Sequence, residues 1–286
     1  MFNSVSVILI ESILKEVENM VKMDKLQNMI KYTLWTAYIK GERPTSLLII
    51  AQPEAGKTSS IEKFSENEGI VYFNDITPWG LTKEIYKLNE LGKPINHLII
   101  PDLLNILSKN QTSEAGMIQF LNTGLEEGLT KIKTYGIEFN VGKTIKFGLI
   151  TAITDEVFND KRRRWRNIGF LSRMIPFSFK YSISDIFNIV ESIKKQEYHN
   201  ENNIKLDFPK ELKEIQLDYN IASKLDPYRV SFAEAEQIYG FRFQKQLQTL
   251  LKAVALSKGK DKVEEEDLND LMACLNYCNT NHNFIQ

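Results

Sequence analysis

The chain has 286 residues, enough for one large domain or two medium ones, each with its own core. Hydrophobic residues at 43% and charged residues at 26% are ordinary for a globular protein. A formal net charge of -1 excludes a global field that attracts nucleic acid, so any such contact must come from local basic patches. No apolar run approaches the roughly 18 residues of a membrane helix, and SVSVILI near the N-terminus is short and followed at once by acidic residues, unlike a signal peptide or an anchor.

In chain order, residues 5–40 carry apolar side chains at three- and four-residue spacing: Ile13, Val17, Met20 and Val21, then Leu26, Met29, Ile30 and Leu34. This pattern predicts two amphipathic helices. A turn, GERPTS, precedes SLLIIA, a continuous apolar run suited to a buried parallel strand. AQPEAGKT follows, and SSIEKFSE reads as a helix. Strands are expected at 70–73, 97–102 and 147–154, with helices between them in LTKEIYKLNELG and SEAGMIQFLNTGLEEG. Strands alternating with helices predict a three-layer α/β architecture with a mostly parallel sheet. Beyond Ser182 the strand signals stop. Residues 184–196, 209–216 and 230–280 read as helices, with KKQEYHNENN as a connector. The expected division is 1–40 as N-terminal helices packed on the core, 41–181 as the α/β nucleotide-binding domain, and 182–286 as a smaller helical lid.

Two cysteines, Cys274 and Cys278, sit one helical turn apart in ACLNYC. His97, His199 and His282 show no ligand spacing around them, so both read as helix thiols and not as metal ligands. So few cysteines fit a reducing, cytoplasmic setting.

The chemistry concentrates at Gly56-Lys57-Thr58, placed after an apolar strand and before a helix. In that context loop amides wrap a phosphate, the ammonium reaches the terminal phosphates, and the threonine hydroxyl ligates Mg²⁺. Pro53, Glu54, Ala55, Gly56, Lys57, Thr58 and Ser59 are the candidate contacts to ATP. The motif departs from G-x-x-x-x-G-K-[ST] at its first glycine, which is Ala51 here; alanine is tolerated if it keeps a negative φ. A second requirement is carboxylates at the end of a neighbouring strand. HLIIPDLLNIL offers one, Asp102, with Pro101 where a second acid is expected. Thr58 and Asp102 are the candidate Mg²⁺ ligands, and Asp102 is also the catalytic candidate, since one carboxylate can either help hold Mg²⁺ or polarise the nucleophile.

Five segments taken in order, SLLIIAQPEAGKT, HLIIPDLLNIL, LEEGLTKIKTYGIEFNVGKT, IKFGLITAIT and IGFLSRMIPF, resemble the AAA+ ATPases, in particular the minichromosome maintenance (MCM) helicase branch. The resemblance covers roughly residues 24–180 and extends more loosely to the helical region. It implies a P-loop AAA+ domain followed by a helical lid. It also implies an oligomeric ring or filament, expected to be a hexamer, that hydrolyses ATP with Mg²⁺. Matched to the family, Thr154 resembles the sensor 1 residue, Arg173 the arginine finger that completes a neighbouring subunit's site, and Arg242 the sensor 2 arginine at the start of a lid helix. Pro101 replaces the family's Mg²⁺-binding aspartate, which implies slow hydrolysis.

The family's pore hairpins fall on Lys131, Lys133, Tyr135, Lys143 and Lys146, where lysines neutralise phosphates and a tyrosine stacks on a base. The densest basic run, Lys161 to Arg166, reads as a phosphate-backbone contact, a subunit interface, or a solvated loop. The expected function is an ATP-driven oligomer acting on DNA, a helicase-like motor or replication accessory. The alternatives are a slow ATP switch that loads or regulates another DNA-processing protein, with a partner protein supplying further domains, and a protein-remodelling ATPase.

Overall fold

The computed structural model describes residues 23–107, 111–134, 137–195 and 203–278. The first expected helix, within 5–22, therefore lies outside the described residues. The second is α1, spanning 23–35, and it buries Leu26, Met29, Ile30 and Leu34.

The elements that follow are β1 (Leu47–Ile50), α2 (Lys57–Glu62), β2 (Ile70–Tyr72), α3 (Pro78–Glu90), β3 (His97–Ile100), α4 (Leu103–Leu107) and α5 (Gln111–Asn122). A π turn at Thr123–Glu127 leads into the antiparallel hairpin β4 (Leu129–Thr134) and β5 (Ile137–Ile145). Then come β6 (Gly148–Ile153), α6 (Asp155–Asn167), β7 (Ile175–Ser178), α7 (Ile183–Lys194), α8 (Tyr219–Ser223), α9 (Asp226–Glu236), α10 (Phe241–Ser257) and α11 (Glu265–Leu275).

The central sheet has five parallel strands in the order β2-β3-β6-β1-β7. Side chains along a strand alternate between faces, and β1 shows the result. Leu47 and Ile49 enter one buried cluster with α1, α10 and α11, while Leu48 and Ile50 enter the other with α3, α4 and α5. Helices thus cover both faces, which accounts for strands buried at every residue such as LLII and HLII. The fold class agrees with the sequence reading as a three-layer α/β architecture with a parallel sheet and a helical C-terminal region.

One expected helix is absent and one strand was not expected, and tertiary neighbours decide both. Residues 209–216 are not a helix. Ile204, Leu206 and Phe208 alternate along an extended chain whose half-buried apolar side chains pack against the first cluster, and Pro209 follows. Asn67 holds this segment, donating to the Ile204 carbonyl at 2.7 Å and accepting from the Leu206 amide at 2.7 Å, and Phe208 stacks on Tyr38. Bridges Ile39–Lys213 and Gln216–Lys262 keep the run extended. Strand β7 was not among the expected strands, and it contains Pro176, a residue that strand interiors disfavour. It is an edge strand whose Ile175 and Phe179 donate inward to Ser46 and Ile50, so the proline nitrogen faces away from β1 and no ladder bond is lost.

Gly148 opens β6 for a steric reason. A Cβ there would lie 2.2 Å from the Thr45 carbonyl oxygen and 2.4 Å from His97 Cδ2. His97 is buried, its Nε2 lies 3.2 Å from that same carbonyl, and burial pulls its pKa down to about 4.

Candidate nucleotide site

Strand register sets the site. Ile50 of β1 pairs with Ile153 of β6, and Ile100 of β3 pairs with Thr151 of β6. The chain segments leaving these strands therefore lie side by side at one edge of the sheet: Ala51 onward, Pro101–Asp102, and Thr154–Asp155. The carboxyl edge of a parallel sheet is where such folds take ligands.

Between β1 and α2 the loop turns through two left-handed residues, Glu54 (φ 63°) and Gly56 (φ 75°). Ala51 stays outside that region, as its replacement of glycine requires. Gly56 caps α2, and its carbonyl accepts from the Ser60 amide at 3.1 Å and from the hydroxyls of Ser59 and Ser60. Pro53, Glu54, Thr58 and Ser59 are exposed, and Ala55 is buried. Lys57 folds back into the loop and donates to the carbonyls of Ala51 (2.8 Å) and Gln52 (2.6 Å). Burial pulls its pKa down, and the carboxylates of Asp155 and Asp102 pull it back up. The loop thus holds its own cation with two of its own carbonyls.

Asp102 follows β3, and its Oδ1 accepts from the Leu104 amide at 2.9 Å. Thr154 precedes α6 with extended backbone and makes no capping bond with its side chain. Asp155, the first residue of α6, lies 3.9 Å from Lys180, and its side chain is only 14% exposed. No group of three or more His, Cys, Asp or Glu suited to a metal occurs among the described residues. The Thr58 hydroxyl and the Asp102 carboxylate are hard oxygen donors, which fits a Mg²⁺ ion completed by phosphate and water.

Sequence reading missed two residues here. Asp155 directly follows the polar end of β6, and that adjacency was the available signal. Tyr181 donates to the Ala55 carbonyl at 3.1 Å across 126 residues of chain, a contact with no signal in the sequence.

The two candidate arginines lie elsewhere. Arg173 precedes β7, whose first residue pairs with Leu47, the first residue of β1. Its guanidinium meets Glu126 at 2.6 Å and donates to the Gly169 carbonyl at 2.5 Å. Arg242, at the start of α10, grips the same Glu126 at 2.6 and 2.9 Å and the Ser172 hydroxyl at 3.2 Å. Both border a cavity of about 410 Å³ walled by Gly41 to Thr45, the residues that lead into β1. They stand at the opposite end of β1 from Lys57, a four-residue strand length or roughly 13 Å away. Glu126, in the LEEG segment, is the residue that joins them.

The backbones of Lys131, Lys133 and Lys143 lie in β4 and β5; their side chains, and Tyr135 as a whole, lie outside the described part. Lys146 follows β5 and is half-buried. The basic run from Lys161 to Arg166 is not a solvated loop but the second half of α6, and much of its charge is used internally. Lys161 and Arg164 reach buried Glu114 at 3.0 and 3.3 Å, Arg162 reaches buried Glu236 at 2.8 Å, and Trp165 is fully buried. Cys274 and Cys278 are buried free thiols, and burial raises the pKa of both. No helix among the described residues is long and apolar enough to cross a membrane.

No protein-family model and no curated protein sequence matches the chain. Among solved structures it resembles an ATPase candidate from Cytophaga hutchinsonii ATCC 33406, with 11% identity over 93% of this chain and 88% of that one, at a TM-score of 0.44. It also resembles a full-length MCM homolog from Methanopyrus kandleri, with 13% identity over 88% of this chain and a TM-score of 0.47. The chain spans 55% of that homolog's length. These likenesses are distant, and they do not extend to substrate, partner or activity.

Proposed function

We propose that this chain binds ATP with Mg²⁺ and hydrolyses it as an oligomeric AAA+ ATPase that acts on DNA. The observation that carries the reading is Lys57, held inside a strand-to-helix loop at the carboxyl edge of a parallel sheet, with Asp102 and Asp155 acting on its charge. On phosphate arrival Lys57 leaves the Ala51 and Gln52 carbonyls and turns outward. Bound Mg²⁺ would spread the charge of the terminal phosphates, held by the Thr58 hydroxyl and Asp102. The Thr154 hydroxyl orients the attacking water. Asp155 takes the place of the acid missing at Pro101 and accepts that water's proton.

Arg173 and Arg242 are separated from Lys57 by the length of β1, so neither serves the site of its own chain. In a ring or filament their shared cluster at Glu126 would face the neighbouring subunit, where an arginine stabilises charge on the transferring phosphoryl group. The hairpin β4–β5 carries Lys131, Lys133 and Lys143, and Lys146 follows it, a set suited to salt-sensitive, sequence-independent contact with a phosphate backbone.

Calorimetric titration with a slowly hydrolysed ATP analogue and Mg²⁺ tests the first step, and absence of binding at millimolar ligand sinks it. Mixing Arg173→Ala with Lys57→Ala chains tests the shared site, because heteromeric rings regain part of the ATPase activity only if sites are built from two chains. A second reading, a slow ATP switch that loads or regulates another protein, is favoured by Pro101. ATP-dependent assembly without duplex unwinding selects it.

A further inference from the structure

Helix α7 is anchored at its start and bare along its length. Ser182 and Asp185 form a reciprocal capping box that fixes the first turn, and Asp185 is its only buried residue. Ile183, Ile186, Phe187, Val190 and Ile193 are 76, 50, 66, 41 and 55% exposed. Their spacing puts them on one helical face about 15 Å long. A stripe of this kind on an otherwise polar surface marks a contact that is missing.

The chain itself says what covers it. The described structure begins at Met23, whose sulfur accepts from the Tyr181 hydroxyl at 3.3 Å, two residues before α7 starts. The residues preceding Met23 therefore enter the fold at the N-terminal end of the bare stripe. Their sequence carries the matching pattern. Ile10, Ile13, Val17 and Met20 are spaced by three, four and three residues, as are Ile183, Ile186, Val190 and Ile193. Only Val21 and Lys22 separate Met20 from Met23, a reach of roughly 10 Å at most, so Met20 is tethered near Tyr181 at the start of α7 and a preceding helix lying on α7 would run antiparallel to it. In that sense Met20 falls beside Ile183 and Ile10 beside Ile193, with Glu11 brought toward Lys194 and Lys195.

We propose that residues 10–20 form a helix that docks antiparallel on the exposed face of α7. The docked pair shares a wall with the loop between β1 and α2. Tyr181 reaches the Ala55 carbonyl, and the Met23 methyl lies 3.5 Å from where a Cβ on Gly56 would stand. The inference does not depend on which ligand that loop takes.

Hydrogen exchange of the full chain, read by mass spectrometry on peptides covering 10–20 and 183–194, tests the docking. Both segments are expected to be protected, and Val17→Glu should speed exchange in 183–194 at least tenfold. Phe187→Glu should do the same to 10–20, and combining Val17→Glu with Phe187→Lys should restore much of the protection. Unchanged exchange in β1 and β6 establishes that each variant is folded, and Phe187 belongs to neither buried cluster of the described residues. Wild-type exchange in 183–194 that is fast, or that Val17→Glu leaves alone, overturns the proposal. So does protection that grows with protein concentration and responds to Phe187→Glu but not to Val17→Glu, which would assign the face to a second copy of the chain.

Discussion

Replacing Lys57 by alanine separates a phosphate-binding role from a merely structural one. In the free protein the ammonium makes two hydrogen bonds, to Ala51 O and Gln52 O. On binding it exchanges these neutral acceptors for phosphate oxygens. A hydrogen bond with one charged partner contributes about 1.5–3 kcal/mol, and charge on both partners strengthens it further. A gain of about 1–1.5 kcal/mol at each of two bonds gives about 2–3 kcal/mol. At about 1.4 kcal/mol per decade, Lys57→Ala should weaken triphosphate binding roughly 30- to 150-fold. The effect on folding should be modest, because water can replace the donor at exposed Gln52 and only the carbonyl of buried Ala51 loses a partner, at about 1–3 kcal/mol. Calorimetry with a slowly hydrolysed analogue at fixed salt gives the first quantity, and thermal unfolding without ligand gives the second. Affinity within threefold of wild type in a folded variant would refute the assignment of Lys57 to the phosphates. A large loss of stability without ligand would instead make the lysine a strut for the loop.

Asp155→Asn should cut ATP turnover roughly 10²-fold or more while leaving nucleotide affinity within about threefold, as expected for a lost proton acceptor. Full turnover in steady-state assays would return that role to Asp102 or another group. Arg162→Ala should destabilise the fold by about 3 kcal/mol or more in urea unfolding, because it strands the fully buried Glu236 of α9 without its partner; an effect below about 1 kcal/mol would mean that the carboxylate protonates or rehydrates at little cost. His97, buried and with its pKa lowered from 6.5 to about 4, stays neutral in the native state while the unfolded chain takes up a proton below pH 6.5. Stability is therefore fully present above 6.5 and falls as pH drops from 6.5 toward 4, by about 3 kcal/mol from this group. The stability advantage of wild type over His97→Gln should shrink by that amount across the window, and a pH-independent difference would contradict it.

The layered architecture was legible because its signals are local. Four apolar residues in LLII and three in HLII declare buried strands, and a glycine–lysine–threonine run between a strand and a helix declares a loop of one geometry. β7 and the 203–217 segment were not legible, because neighbours decided them. Pro176 is harmless only on an edge strand whose outward nitrogen owes no bond. The 209–216 run is extended because Tyr38, Lys40 and Asp261, far away in sequence, supply backbone partners to Lys213 and Gln216.

The same division runs through the site. Sequence alone put Lys57 and Thr58 at a strand-to-helix junction and Asp102 just past a strand end, since both are properties of consecutive residues. It could not rank Asp155, whose standing comes from the order β3-β6-β1, which places the end of β6 between the other two strand ends. Nor could it locate the arginines. Arg173 and Arg242 are far apart in the chain and meet through Glu126 at the end of β1 away from Lys57. Residue type and spacing determine which chemistry a segment can offer. Strand order and register determine which segments share an edge, because those depend on pairings between parts of the chain that no local pattern encodes.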